Sequence, residues 1–300
     1  MPAPAPPPPP DLSDPAHAID TLRAAAQLHL DDPRRRGATV HLPDTGRLFI
    51  TGDLHDHALN LQRILQRADL DRAPNRHLIL HEVIHGPNRV NGMDLSLRTL
   101  LHTAHLKTHY PHQLITLQSN HELAQRLGEA ISKDGESVVD AFDDGLEFLF
   151  PSDADEVRDA LSDYIASLPL AVKTANRLLV AHSLPAPKRI ETFDPAVLDR
   201  VPTEDDLQHG SAYDLVWGRY QNTKILGELA DAWSVDQFVL GHQPAEMGYL
   251  EIADRALVLA SDHGHGVLLP IDLTKPLPDR DGLIELLIPL AAIRVSVSGQ

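Results

Sequence analysis

The stretch at residues 80–86, LHEVIHG, places His81, Glu82 and His85 in the spacing H-E-x-x-H. On a helix that spacing sets two imidazoles on one face to bind zinc, with the glutamate as base for peptide hydrolysis. Here the motif follows the apolar run HLIL and meets Gly86-Pro87, a pair through which no helix continues. Glu82 is therefore read as one ligand of a site assembled from several segments. FITGDLHDH offers Asp53 and His55, LITLQSNHE offers Asn120 and His121, LLVAHSLP offers His182, and FVLGHQP offers His242. A single histidine ending an apolar run is usually an ordinary polar residue. Five such runs, each ending in a hard nitrogen or oxygen donor, point to metal chemistry. A bridging carboxylate with His and Asn around it suits two divalent cations about 3.5–4 Å apart, which clamp phosphate oxygens and lower the pKa of a bound water. The reaction class is metal-assisted hydrolysis of a phosphate ester by hydroxide.

For these ends to meet, the runs must be neighbouring strands, because open α/β sheets bind ligands beyond the carboxyl ends of their strands. SDPAHAIDTLRAAAQLHL predicts a first helix, capped by Ser13 or Asp14 with Pro15 at its first position. ATVHLPDTGRLFITGD predicts two strands with PDTG between them as a hairpin signal. ALNLQRILQRADL has helical spacing, HLILHEV reads as a strand, DLSLRTLLHTAHLKTHY as a helix, and QLITLQSNHE as a strand entering a loop. Strand, loop and helix repeat, which implies α/β architecture with parallel strands. Residues 123–168 are largely helical and acidic, and predict an insertion that caps one face. LAVKTA, RLLVAHS, QFVLGHQ, MGYLEI, ALVLAS and GVLLPIDL follow at close spacing, so the second half is expected to be more antiparallel. Residues 1–12 are proline-rich and predict an extended, disordered tail, which leaves residues 13–300 as a single domain.

Three hundred residues are ample for a sizeable core. The absence of cysteine excludes disulfides and thiolate ligands, while 18 histidines keep a nitrogen and oxygen ligand set well supplied. The net charge of −17 argues against binding a nucleic-acid polymer or an anionic membrane, because phosphates are repelled. No run of about 18 apolar residues predicts a membrane span. MPAPAPPPPPDLSD lacks the basic region and apolar core of a signal peptide, so a cytoplasmic location is expected.

In order, GDLHDH, HEVIHGP, SNHE, AHS and GHQ resemble the motifs GDxHG, GDxxDRG, GNHE, HG and a late His of the calcineurin-like metallophosphoesterases, and more closely of the phosphoprotein (serine/threonine) phosphatase family. YIASLPLAVKTANRLLVAHSLP and AYDLVWGRY are similar to that family's approach to its HG motif and to its DLLWSDP segment, so the likeness spans roughly residues 47–272. The resemblance implies a β-sandwich flanked by helices and two divalent cations, manganese, iron or zinc. It also implies roles. Asp53 and His55 would hold the first cation, and Glu82, in place of a bridging Asp, would span both. Asn120, His182 and His242 would complete the ligand set of the second cation. His121 would protonate the leaving alkoxide as general acid.

The departures bear on catalysis. His85 replaces the Asp that would orient the catalytic His, and Glu82 adds a methylene to the bridge. Gly86 replaces an Arg that would grip the substrate phosphate, a loss worth on the order of 10²–10³ in rate. Asp56 stands where the family has Gly. Arg200 sits near where the family places a second phosphate-binding Arg, and Arg89 and Arg219 are further candidates. The expected substrate is a phosphoprotein or a small phosphate ester. A diadenosine-tetraphosphate-type nucleotide hydrolase resembles the same family, and the altered second motif also fits a degenerate module that binds metal or phosphoprotein without turnover.

Overall fold

Asp14 accepts the Ala16 backbone N–H at 3.0 Å and Pro15 stands in the first turn, so the first helix starts at its expected cap. The computed structural model describes residues 14–129, 131–133 and 136–295; the proline-rich residues 1–12 and Ser13 lie outside the described residues. The first third contains α1 (Pro15–Leu30), β1 (Arg35–Arg36), β2 (Thr39–Leu42), β3 (Arg47–Asp53), α2 (Ala58–Ala68), β4 (Arg76–His81), β5 (Arg89–Val90), β6 (Met93–Asp94) and α3 (Leu97–His109). Next come β7 (Leu114–Thr116), α4 (Asn120–Leu127), β8 (Ser132–Lys133), β9 (Glu136–Ser137), α5 (Val138–Leu149), α6 (Ala154–Ser167), β10 (Ala171–Thr174) and β11 (Leu178–Ala181). The last third holds α7 (Glu204–Gln208), α8 (Ser211–Trp217), α9 (Thr223–Trp233), β12 (Gln237–Leu240), β13 (Tyr249–Ile252), β14 (Ala256–Leu259), β15 (Val267–Asp272), α10 (Arg280–Glu285) and β16 (Ile288–Pro289).

Two sheets dominate, one ordered β1-β2-β10-β11-β12-β14-β13 and one ordered β16-β15-β3-β4-β7. Alternation along the strands sorts their side chains. Leu48, Ile50, Ile79, Val180 and Val239 meet between the sheets. Phe49, Leu78 and Leu80 point the other way, onto Leu22, Leu61, Leu100, Phe142 and Leu161 from α1, α2, α3, α5 and α6. Leu179, Phe238 and Leu240 pack under α8 and α9. The layers are therefore helix, sheet, sheet, helix, with each fully buried Leu, Ile or Phe contributing roughly 1.5–3 kcal/mol. In α2 the core stripe Leu61, Ile64, Leu65 and Ala68 follows helical spacing. Among the described residues, no helix is long and apolar enough to cross a membrane.

β3, β4 and β7 run parallel, as the strand–helix repetition predicts. The second half is mixed instead of mainly antiparallel. β10–β11 and β13–β14 are antiparallel, but α8 and α9 cross from β11 to β12 and make that pair parallel, as is β12–β14. The hairpin expectation at PDTG is corrected: β2 pairs with β10 in one sheet and β3 with β4 and β15 in the other. Arg47 N–H donates to the Asn75 carbonyl at 3.0 Å, so the segment carries the chain between layers and is tied to the start of β4. QSNHE, expected as a loop, opens α4 at Asn120 with Ser119 at the cap.

Candidate metal centre

The predicted ligands stand at or just beyond strand ends on one rim of the sandwich, with Asn120 in the first turn of α4. Asp53 closes β3 and bridges the two sheets: it pairs with Ala260, and its carbonyl accepts the Ser261 N–H at 2.9 Å. Beyond β3 and β4 the chain enters two loops that lock together. The Glu82 carbonyl accepts the N–H of Leu54 at 3.0 Å and of His55 at 2.9 Å, and the Val83 carbonyl accepts Asp56 N–H at 3.0 Å. His55, Asp56, Glu82, His85 and His242 all have positive φ, between 39° and 68°. Such conformations cost about 1–3 kcal/mol each and cluster where a surrounding network holds them for function. Glu122 supplies part of that network, accepting Val83 N–H at 2.8 Å and the Ser119 hydroxyl. Burial, with the charge of Glu82 beside it, pushes Glu122 up to about 8.

Glu82 is the hub. Its Oε1 lies 3.2 Å from His121 Nε2 and 3.9 Å from His55 Nε2, and its Oε2 lies 3.0 Å from His182 Nε2. Asn120 Oδ1 is 2.7 Å from His182 Nε2 and 2.8 Å from His242 Nδ1. Ligand atoms of His55, Glu82 and His121 fall within 4.8 Å of one another, as do those of Glu82, His182 and His242. Each oxygen of one buried carboxylate thus faces a different imidazole set. Asp53 lines the same cavity; its Oδ2 accepts His242 N–H at 2.8 Å, and its ligating oxygen groups with His81 and His182.

The protonation states suit ligation. Burial lowers the pKa of His121, His182 and His242 well below 6.5, with neighbouring imidazoles, and Arg219 for the latter two, adding to the effect. Neutral imidazoles offer lone pairs. His55 Nδ1 lies 3.1 Å from the Ile84 carbonyl, which only accepts, so the proton is on Nδ1 and Nε2 is free to ligate. Burial, then the charge of Glu82, raises Asp53. Asp53 is buried among neutral imidazoles, and its Oδ1 and His182 Nδ1 have no hydrogen-bond partner among the described residues. Divalent cations would supply partners for these atoms, so the donor set fits them.

Behind His121 stands His85, in the orienting place the motif comparison gives it, and behind His85 stand Gln125 and Asp143, which the sequence did not disclose. Gln125 Nε2 donates to Asp143 Oδ1 at 3.1 Å, which turns its Oε1 toward His85 Nε2 at 2.9 Å. His85 Nε2 therefore carries the proton, and its Nδ1 accepts from His121 Nδ1 at 2.9 Å. His121 is left with Nε2 facing Glu82. Burial lowers His85 to about 3, so it works as a neutral acceptor where the resemblance has a carboxylate. Gln125 lies four residues after His121, one turn along α4, a spacing that could have flagged it.

Two departures from the motifs prove to be one. A Cβ at Gly86 would lie 2.6 Å from Asp56 Cβ and 2.9 Å from the His55 carbonyl oxygen. Asp56, held by the Thr99 hydroxyl, fills the space a side chain at position 86 would need. Gly86→Arg is expected to cost about 1–3 kcal/mol of stability through overpacking. Adding Asp56→Gly should recover at least about 1 kcal/mol, a coupling that chemical denaturation of the four variants in a double-mutant cycle would read. Strictly additive effects would show that the two positions are independent.

The candidate phosphate-binding arginines separate. Arg219 lines the cavity and donates from Nε to His242 Nε2 at 2.9 Å. Arg89 sits on β5, where its charge acts on His85 and Asp94. Arg200 forms a bidentate pair with Asp206 at 2.5 and 2.7 Å, which keeps the Asp206 carboxyl far below its usual range, and it does not line this cavity. The cavity, about 410 Å³, is also lined by Glu246, Asp262 and His263, which sequence reasoning passed over because no motif marks them.

No protein-family model matches the sequence, and no curated protein matches it. Solved structures do. The chain is similar to a protein serine/threonine phosphatase from Saccharomyces cerevisiae with similarity to human phosphatase PP5, over 93% of each chain at 15% identity and a TM-score of 0.64. It is also similar to a cold-active protein-tyrosine phosphatase of a psychrophilic Shewanella species, over 83% of this chain and 80% of the other, at 12% identity and a TM-score of 0.58. The chain has the α/β fold that these phosphatases share.

Proposed function

We propose that this protein is a metal-dependent phosphoester hydrolase of the calcineurin-like, serine/threonine phosphatase type. The observation that carries the reading is Glu82, a fully buried carboxylate whose two oxygens face separate imidazole sets at the floor of an open cleft. Asp53, His55, Glu82, Asn120, His182 and His242 are the residues that hold a cation pair. When bound, such a pair polarises phosphoryl oxygens and acidifies water. Arg219 orients the phosphate from the cavity wall. Once protonated on both ring nitrogens, His121 would deliver the Nε2 proton to the leaving oxygen and keep its Nδ1–H on His85.

The neutral His85 tunes that last step. A carboxylate behind His121 would stabilise imidazolium, whereas a neutral imidazole stabilises it less. Proton delivery is therefore weak, which favours leaving groups that need little of it. Tyrosine, with a pKa near 10, is a much better leaving group than a serine alkoxide. Aryl phosphates, phosphotyrosine included, form the second reading, and this chemistry is what favours it.

The test combines metal analysis of the purified protein with a substrate panel: p-nitrophenyl phosphate, matched phosphoserine, phosphothreonine and phosphotyrosine peptides, and diadenosine tetraphosphate, each with added Mn²⁺. Aryl phosphates are expected to turn over fastest. Nucleotide release without any phosphomonoester turnover would replace the proposal with a nucleotide hydrolase. Bound metal with no turnover of any substrate would make the protein a degenerate binding module.

A further inference from the structure

His81 belongs to neither imidazole set around Glu82. It closes β4 on the face that Ile79 presents between the sheets, and it is fully buried. Among the described residues neither of its ring nitrogens has a hydrogen-bond partner, although a neutral imidazole has one N–H and one lone pair to satisfy. Two more orphaned atoms lie beside it, Asp53 Oδ1 and His182 Nδ1. Ligand atoms of these three residues fall within 4.8 Å of one another, and Asp53 Oδ1 and His182 Nδ1 are 3.6 Å apart. Donors at about 2.0–2.1 Å from a tetrahedral cation are separated by nearly that distance.

The orientation of His182 separates this group from the rest of the centre. Its Nε2 is engaged with Asn120 and Glu82, so Nδ1 points the opposite way, toward Asp53. Gly241 keeps the spot open, because a Cβ there would lie 2.2 Å from Asp53 Oδ1 and 3.2 Å from His81 Nδ1. A water would satisfy some of these atoms but would leave the carboxylate charge uncompensated. A cation would engage one orphaned atom of each of the three residues at once. At the corresponding position, the second motif that this chain resembles has Gly, which offers no ligand.

We propose that Asp53, His81 and His182 hold an additional divalent cation of the zinc or iron class, on the inner side of the Glu82 assembly. The proposal builds on the metal-centre reading and shares Asp53 and His182 with it; with a cation on each of its nitrogens, His182 is an imidazolate whose remaining N–H proton is released to solvent on loading. The full chain would be stripped with chelator and loaded with Zn²⁺ or Co²⁺ alone. Bound equivalents would be counted after equilibrium dialysis for wild type, His81→Gly, His81→Gln and Glu82→Ala. Both His81 variants should hold one equivalent fewer than wild type, and Co²⁺ should lose a set of tetrahedral visible bands. Glu82→Ala should keep one cation, which the added His81→Gly removes. Should His81→Gly fail to fold, His81→Gln keeps most of the ring volume and still reads the count. Equal metal content in wild type and the His81 variants would overturn this site while leaving the Glu82 centre intact. A wild type that binds no metal would overturn both.

Discussion

Glu82→Ala is expected to abolish hydrolysis, lowering kcat/KM by roughly 10³-fold or more, because Lewis-acid stabilisation of phosphoryl transfer is worth several kcal/mol. The reason is geometric. One carboxylate reaches His121 at 3.2 Å and His182 at 3.0 Å, so its removal takes a ligand from both sides of the assembly at once. Metal analysis is the decisive companion measurement, since the Glu82-centred cations should leave with the activity. Glu82→Asp is an informative control. It restores the bridging residue of the motif that this chain resembles, yet here it withdraws the carboxylate by one methylene from partners already placed for glutamate. A loss of roughly 10–100-fold is expected, the range seen when supporting groups of metal sites are disturbed. Full activity in Glu82→Ala would end the metal-bridge reading.

His121→Ala is expected to lower kcat by about 10²–10⁴, the usual worth of a positioned general acid, with metal content nearly unchanged. The loss should depend on the leaving group: large for alkyl phosphates, small for p-nitrophenyl phosphate, which departs without a proton. Gln125→Leu should show the same trend at reduced amplitude, because it removes the acceptor that sets the His85 tautomer while leaving His121 in place. His121 Nε2 also sits within the same group of ligating atoms as His55 and Glu82. Substantial loss of metal from His121→Ala would therefore assign it as a ligand and return the acid role to another group.

What the sequence made legible was whatever a strand end or a cap announces locally. Asp53, Glu82, Asn120, His182 and His242 each follow a short apolar run, so the fold's own geometry delivers them to one rim. The breaker pair Gly86-Pro87 was enough to remove the helical reading of HEVIHG, and the positive φ at Glu82 and His85 agrees. Features that depend on partners remote in sequence stayed hidden. PDTG looks the same whether it turns a hairpin or crosses between layers, because β2 and β3 alternate alike in either case. His81 was passed over because its neighbour Glu82 satisfied the search for a ligand, and only the inward face of β4 separates their roles. The dependence of Gly86 on Asp56 is a matter of one shared volume, and Gln125 matters only through Asp143 eighteen residues on.

The division of ligands between the two sheets has a mechanical consequence. Asp53 and Glu82 hang from β3 and β4, whereas His182 and His242 hang from β11 and β12. Cations bound as proposed would therefore act as rivets across the open rim of the sandwich, and pulling the layers apart would break coordination bonds as well as expose apolar surface. Metal supply would then set the durability of the whole scaffold: at a free concentration a thousandfold above Kd, each such rivet would add about 4.1 kcal/mol against unfolding.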